Sequence, residues 1–151
     1  MAEQSYIFDF SRTPTFFEHF NLDFLVSDMD GSSSKFQLVI AKYGGDNIGE
    51  YLDNNGLLDT DTIGSANLIV EDCKLKYEAD ELGDAVISLA EAVTFTIGDA
   101  NIPLKAVFLR DKTTGYVMGY SINLVSFSVT NEVVFDDDVI FWDIVGLNNN
   151  G

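Results

Sequence analysis

Residues 93–97 alternate strictly between apolar and polar side chains, which predicts a strand with one buried and one wet face, ending at Gly98-Asp99. Residues 102–109 follow, apolar on both faces from Ala106 onward, as in a central strand or one covered at an interface. Pro103 stands near the start of that run, where a missing N–H is tolerated. Asp111-Lys112-Thr113-Thr114-Gly115 then reads as a turn, and residues 116–120 as the returning strand of a hairpin. Further strands are predicted at 125–130, 132–135 and 139–145, with Asn131 marking a bend or bulge. Upstream, residues 67–77 alternate as a strand that places Ile69, Cys73, Leu75 and Tyr77 on one face.

The first 65 residues have a different texture, with aromatic clusters interrupted by Gly-, Ser- and Asn-rich loops. Residues 36–43 are their strongest strand, with weaker candidates at 6–10 and 22–26. Helical signal is sparse: residues 15–20 can form one turn, and residues 84–92 read equally as helix or strand, because Ala85, Ile87 and Leu89 also alternate. The pattern predicts an all-β fold, an antiparallel β-sandwich-like domain with an irregular, aromatic-rich N-terminal arm. It divides into residues 1–65 packed on the core, a β core at 66–146 and a mobile tail at 147–151, within one structural domain.

Composition adds that the chain must fold and must be acidic. Its 151 residues are 46% hydrophobic and 13% aromatic, too apolar for disorder. Eight Lys and Arg against 25 Asp and Glu give a formal charge of −17. Such a surface repels phosphate backbones and anionic lipid, so nucleic acid and membrane are not expected partners. Cys73 is the only cysteine, so no internal disulfide can form. The start at Met1 lacks the basic region of a secretory signal, and no apolar run is long enough to span a bilayer, which predicts a cytoplasmic protein.

Candidate chemistry is thin. His19 is the only histidine, and no Gly-x-Ser-x-Gly elbow accompanies it. Cys73 falls on an apolar strand face and reads as a small buried hydrophobe. One Cys and one His cannot fill a zinc site. Asp28-Met29-Asp30-Gly31 and Asp59-Thr60-Asp61-Thr62 both begin like calcium loops, yet Val39 and Val70 stand where the bidentate Glu is required. Asp136-Asp137-Asp138 with Glu132 could hold an ion, but reads more simply as a solvated turn. Paired carboxylates of a glycosidase discriminate nothing among so many acids. Trp142 shares a strand face with Ile140 and Ile144, a packing pattern more than a sugar platform. Gly44-Gly45-Asp46-Asn47-Ile48-Gly49 lacks the Lys and Ser/Thr of a phosphate loop and reads as a flexible connection. No cofactor or metal is implied, and the expectation is a protein that is not an enzyme.

Phe8, Phe10, Phe16, Phe17 and Phe20 crowd the first 20 residues, split by Pro14. Two uses fit equally: rings that cap an open end of their own domain, or an arm docking on a neighbouring subunit. Phe16, Phe17 and Phe20 are the candidate contact residues of such an arm. On that view, removing the first 20 residues leaves the β domain folded.

Three segments carry a family resemblance: Val93-Thr94-Phe95-Thr96-Ile97-Gly98-Asp99, Leu104-Lys105-Ala106-Val107-Phe108-Leu109 and Gly115-Tyr116-Val117-Met118-Gly119-Tyr120. With the short apolar strand at 139–145, this texture is similar to small auxiliary or decoration virion proteins of tailed bacteriophages. The resemblance covers residues 66–146 and rests on strand texture. It implies a non-enzymatic, β-sandwich-like structural protein that assembles in the host cytoplasm onto a virion. Its partners would be capsid proteins and its own copies, in a symmetric multi-copy array that it stabilises as a decoration or cement protein. The alternative function is a carbohydrate- or protein-binding β-sandwich module, calcium-dependent in one form, on a fibre or cell-surface assembly.

Overall fold

The structure, a computed structural model, describes residues 4–5, 10–13, 34–79, 85–137 and 140–144. Over these residues the chain is all-β. Its elements are β1 (Gln4–Ser5), β2 (Ser11–Arg12), β3 (Phe36–Ala41), a four-residue helix α1 (Thr60–Ile63), β4 (Leu68–Cys73), β5 (Leu75–Ala79), β6 (Ala85–Leu89), β7 (Val93–Asp111), β8 (Val117–Phe135) and β9 (Ile140–Ile144). Short 3-10 turns lie at Ile48–Glu50 and Ser65–Asn67. One sheet runs β1-β8-β7-β3-β4, with β2 also on β8, and the other runs β5-β6-β9. Pairing is antiparallel throughout except for β1 against β8.

The dominant element is one hairpin of two 19-residue strands, β7 and β8. Its turn lies where the sequence puts it. The Asp111 carboxylate accepts from the Thr113 amide at 3.2 Å and the Thr114 hydroxyl at 2.7 Å. Gly115 closes the loop at φ 85°. The expected strand end at Gly98-Asp99 does not stop β7, while Asn131 marks an irregularity in β8 as expected. Gly98 (φ 81°) and Asn131 (φ 66°) face each other across the ladder, and both strands run on. Turn-forming residues here serve bulges, which bend strands without ending them. A second and larger irregularity follows: Leu104 pairs with Phe127 but Ala106 with Ile122, so residues 123–126 loop out of β8.

These bends curl the sheet. A straight 19-residue strand would separate its ends by about 60 Å. Yet Lys74, next to Cys73 at the level of Asp111, has its ammonium 3.5 Å from Glu91, which lies just before Val93. The two ends of β7 are thereby brought back together.

The 67–77 run divides at Lys74, its first half pairing in one sheet as β4 and its second in the other as β5. Alternation survives the switch: Cys73 and Leu75 are buried in one cluster, with Ile69 and Tyr77 packed against it. The 84–92 ambiguity resolves as strand β6, held between β5 and β9 with Ile87 and Leu89 buried. Among the described residues the core has two clusters. The inner one gathers Leu38, Leu75, Ile87, Phe95, Leu109 and Phe135 from both sheets. Burying each such side chain contributes roughly 1.5–3 kcal/mol. The outer one lies on the opposite face of the curled sheet, where Val39, Ala106, Phe108 and Val117 are closed over by Tyr51, Leu58 and Ile63.

Candidate functional site

The outer cluster ends at a corner where polar chemistry gathers. After Ala41 the chain leaves β3 and turns back through Gly44 and Gly45 around the Tyr51 ring. A Cβ at Gly44 would stand 2.3 Å from that ring, and one at Gly45 would stand 2.4 Å from the Glu50 carboxyl. This segment is therefore a fitted wrap, in contrast to the flexible connection that its glycines suggest. Tyr51 is fully buried, its ring 5.0 Å from that of Phe108, and its hydroxyl donates to the Gly45 carbonyl at 2.6 Å. Burial, with the negative Asp46 and Glu50 adding to it, pushes the Tyr51 phenol up to about 12. Glu50 accepts from the amides of Asp46 and Asn47 at 3.2 and 3.1 Å, which fixes the loop.

Lys105 reaches into this corner from β7. Its side chain is only 8% exposed, and its ammonium donates to the Asp46 carboxylate and, at 3.2 Å, to the Leu124 carbonyl. One buried cation thus holds both the 44–47 loop and the looped-out residues of β8. Asn123 adds a 3.4 Å bond from its amide to the Leu104 carbonyl. Beside this clamp is a half-open depression of about 290 Å³ lined by Ser11, Asp46, Asn47, Ile48, Tyr120, Ser121 and Ile122. The sequence signal that could have found the site is Lys105 itself, a lone cation inside an apolar run. Its partner Asp46 lies 59 positions away, and no local pattern links the two.

The residues singled out by sequence do not converge here. Phe8, Phe16, Phe17, Phe20, His19, Asp28, Asp30 and Asp138 lie outside the described residues. So do the expected 22–26 strand, the 15–20 turn and the 147–151 tail. Trp142, in β9, pairs through its backbone with Ile87 of β6, and its side chain lies outside the described residues. Phe10 is buried in the inner cluster. Beside it, Thr13 donates its amide to the Met118 carbonyl at 3.0 Å and its hydroxyl to the Val117 carbonyl at 2.8 Å. Removing residues 1–20 would therefore take away part of the core, and the expectation that truncation spares the fold is corrected. Cys73 is buried, and desolvation, then the charge of Asp72, pushes its thiol pKa far up, so it is a poor nucleophile. Asp59, a calcium candidate in sequence, caps α1 instead: its carboxylate accepts from the Thr62 amide at 3.2 Å and hydroxyl at 3.0 Å. Among the described residues no three His, Cys, Asp or Glu come together as a metal site. No described helix is long and apolar enough to cross a membrane.

A second polar feature crosses the sheet near the hairpin turn. Arg110 donates to Gln37 at 3.0 Å, Gln37 to Asp72 at 3.0 Å, and Lys112 to Asp72 at 2.7 Å. The Lys112 hydrogen bond, then that from Gln37, holds the Asp72 carboxyl below its usual range. Each donor has its acceptor, so the row reads as cross-strand stabilisation. Compared with models of known protein families, with curated proteins and with solved structures, the chain matches none.

Proposed function

We propose that this chain is a non-enzymatic structural protein of a tailed-bacteriophage virion, an auxiliary or decoration protein that strengthens the particle by protein–protein contacts. The supporting observation is that the three segments bearing the family resemblance fold as one unit, the β7–β8 hairpin, which carries most of the inner cluster. We further read the two sheets as the layers of a β-sandwich-like domain, because a single apolar cluster draws on both. On this reading Phe16, Phe17 and Phe20 are the contact residues that dock on a capsid protein or a neighbouring copy. Repeated by symmetry, such contacts bury large surfaces at modest cost per subunit. The chain would assemble onto the virion in the host cytoplasm, with neither nucleic acid nor membrane as partner.

The test uses phage particles produced from a genome encoding this chain, intact or interrupted by a stop codon. Mass spectrometry of washed particles should detect the chain, and particles without it should survive heating less well. Absence of the chain from washed particles overturns the proposal. Replacing Phe16, Phe17 and Phe20 together by Ser, with Phe10 kept, tests the arm: incorporation should fall while the thermal midpoint of the purified protein stays unchanged.

A further inference from the structure

We propose that Asn55 is a site of spontaneous deamidation, gated by the turn that carries it, and that its product loosens the cover of the outer cluster. Of the described asparagines, only Asn55 is followed by glycine. A side chain at the following position crowds the backbone nitrogen that must attack, whereas Gly56 leaves it open. Three other asparagines have their side-chain amides engaged. Asn47 donates to Glu50 at 3.4 Å, Asn67 to the Ile63 carbonyl at 2.9 Å and Asn123 to the Leu104 carbonyl at 3.4 Å. Asn55 is exposed, and its side-chain amide makes no hydrogen bond among the described residues.

The reaction needs only water. The Gly56 nitrogen bonds to Asn55 Cγ as it gives up its proton, and the Cγ–Nδ2 bond breaks. Ammonia leaves and carries that proton away. Water then opens the cyclic imide. Hydrolysis at Cγ leaves aspartate. Hydrolysis at the main-chain carbonyl leaves isoaspartate, whose backbone runs through Cγ and is longer by a methylene. Nothing is oxidised or reduced, and either product adds a negative charge to the turn.

The turn sets the rate. Gly56 is buried, its N–H donates to the Asp53 carbonyl at 3.3 Å, and its carbonyl accepts from the Val117 amide at 3.0 Å. While these bonds stand, the nitrogen that must attack keeps its proton turned to Asp53. The first bond is long beside the usual spacing of about 2.9–3.0 Å. The Asp53 carboxylate closes the turn, accepting from the Asn55 amide at 2.8 Å and the Leu57 amide at 3.1 Å. Asp53, Asn54 and Asn55 are all exposed, so little burial opposes a local opening. Isoaspartate does not fit the closed turn, because its extra methylene displaces Gly56 from Val117 and Leu57 from its bridge to Tyr116. Leu58 and Val117, the neighbours of that bridge, belong to the outer cluster. This chemistry belongs to the turn and does not rest on the function proposed above.

The experiment is peptide mapping by mass spectrometry on the full chain, folded and urea-unfolded, during incubation at mildly alkaline pH. Loss of the side-chain amide, with isoaspartate as a product, is expected in the folded chain at Asn55 before any other described asparagine. Mapping keeps apart the second Asn–Gly pair of the sequence, Asn150-Gly151. Asp53→Ala removes the carboxylate that closes the turn and should speed the loss. Urea below the unfolding transition should speed it likewise, with no substitution made. In the aged chain, amide exchange at Val117 should quicken while residues 36–40 stay protected, and Asn55→Gln should abolish that change. An Asn55 that keeps its amide in the folded chain while the unfolded chain loses it overturns the proposal. So does earlier loss at another described asparagine, or a rate that neither Asp53→Ala nor urea raises. Unchanged exchange at Val117 after deamidation overturns the loosening of the outer cover.

Discussion

The inner and outer clusters lie on opposite faces of the same strands but are closed by different means. On the inner face, residues of both sheets share one apolar cluster, and within the β7–β8 hairpin the rings of Phe95 and Phe135 meet edge to face at 5.7 Å. Order there follows from alternation, which aims every second residue inward. Among the described residues no second sheet covers the outer face, and Tyr51, Leu58 and Ile63 close it. The 44–51 segment that carries Ile48 and Tyr51 into this cluster is otherwise rich in Gly, Asp and Asn. Hydrogen bonds to Glu50 and Gly45 and the Lys105–Asp46 pair hold it in place. The inner face is fixed by packing between strands, the outer face by packing together with the polar contacts that hold its loop in place.

Removing packing should therefore cost most on the inner face. Phe95→Ala deletes a fully buried ring and its partner contact, and should destabilise by about 3–5 kcal/mol in urea unfolding. A loss under about 1 kcal/mol would mean that the inner cluster collapses around cavities and is not the rigid half.

The clamp gives the next largest effect, and an asymmetric one. Asp46→Ala leaves the ammonium of Lys105 buried with only the Leu124 carbonyl as acceptor, and should cost about 3 kcal/mol. Lys105→Met frees an aspartate that is already 59% exposed, and should stay within about 1 kcal/mol of the parent. Both should speed amide exchange at Asp46 and Asn47 while leaving residues 36–40 protected. Equal costs for the two substitutions would show that the pair acts as an ordinary surface bridge.

How far the sequence reveals this organisation follows from the same contrast. The inner face was legible: the 93–97 alternation, the single face shared by Ile69, Cys73, Leu75 and Tyr77, and the turn at 111–115 all appear as expected. Strand boundaries were less so: Asn131 was legible as a bend, but Gly98-Asp99 carry turn chemistry that the fold uses for a bend and not for a strand end. Residues 84–92 could not be read locally, since only pairing with β5 and β9 makes them a strand. The outer corner was hidden. Gly44-Gly45 look like a flexible connection until the Tyr51 ring is placed beside them, and Asp46 and Lys105 meet only through the register of β3 on β7.

Gly44→Ala sharpens that last point with a smaller effect. The added methyl has no room beside the Tyr51 ring, so the ring or the loop must shift, at a cost of about 2 kcal/mol. Combining it with Tyr51→Ala should recover part of that cost, since the two sites share one contact. Additive losses in the double variant would mean that the loop is held by something other than the ring.

The smallest effect concerns the Tyr51 hydroxyl. Its folded pKa of about 12 lies above the 10.0 of a free phenol. The folded state therefore favours the neutral form, which donates to the Gly45 carbonyl. Stability from this preference is complete below pH 10 and declines as pH rises from 10 towards 12, because the unfolded chain gains from ionising first. Ultraviolet absorbance should show one phenol ionising last, and Tyr51→Phe should abolish that late step. The same variant should lose about 1 kcal/mol at neutral pH. Above pH 10 the gap between variant and parent should narrow, since Phe has no proton to lose. A gap that widens instead would mean that the Tyr51 hydroxyl is not a buried donor, and that the outer face is held without it.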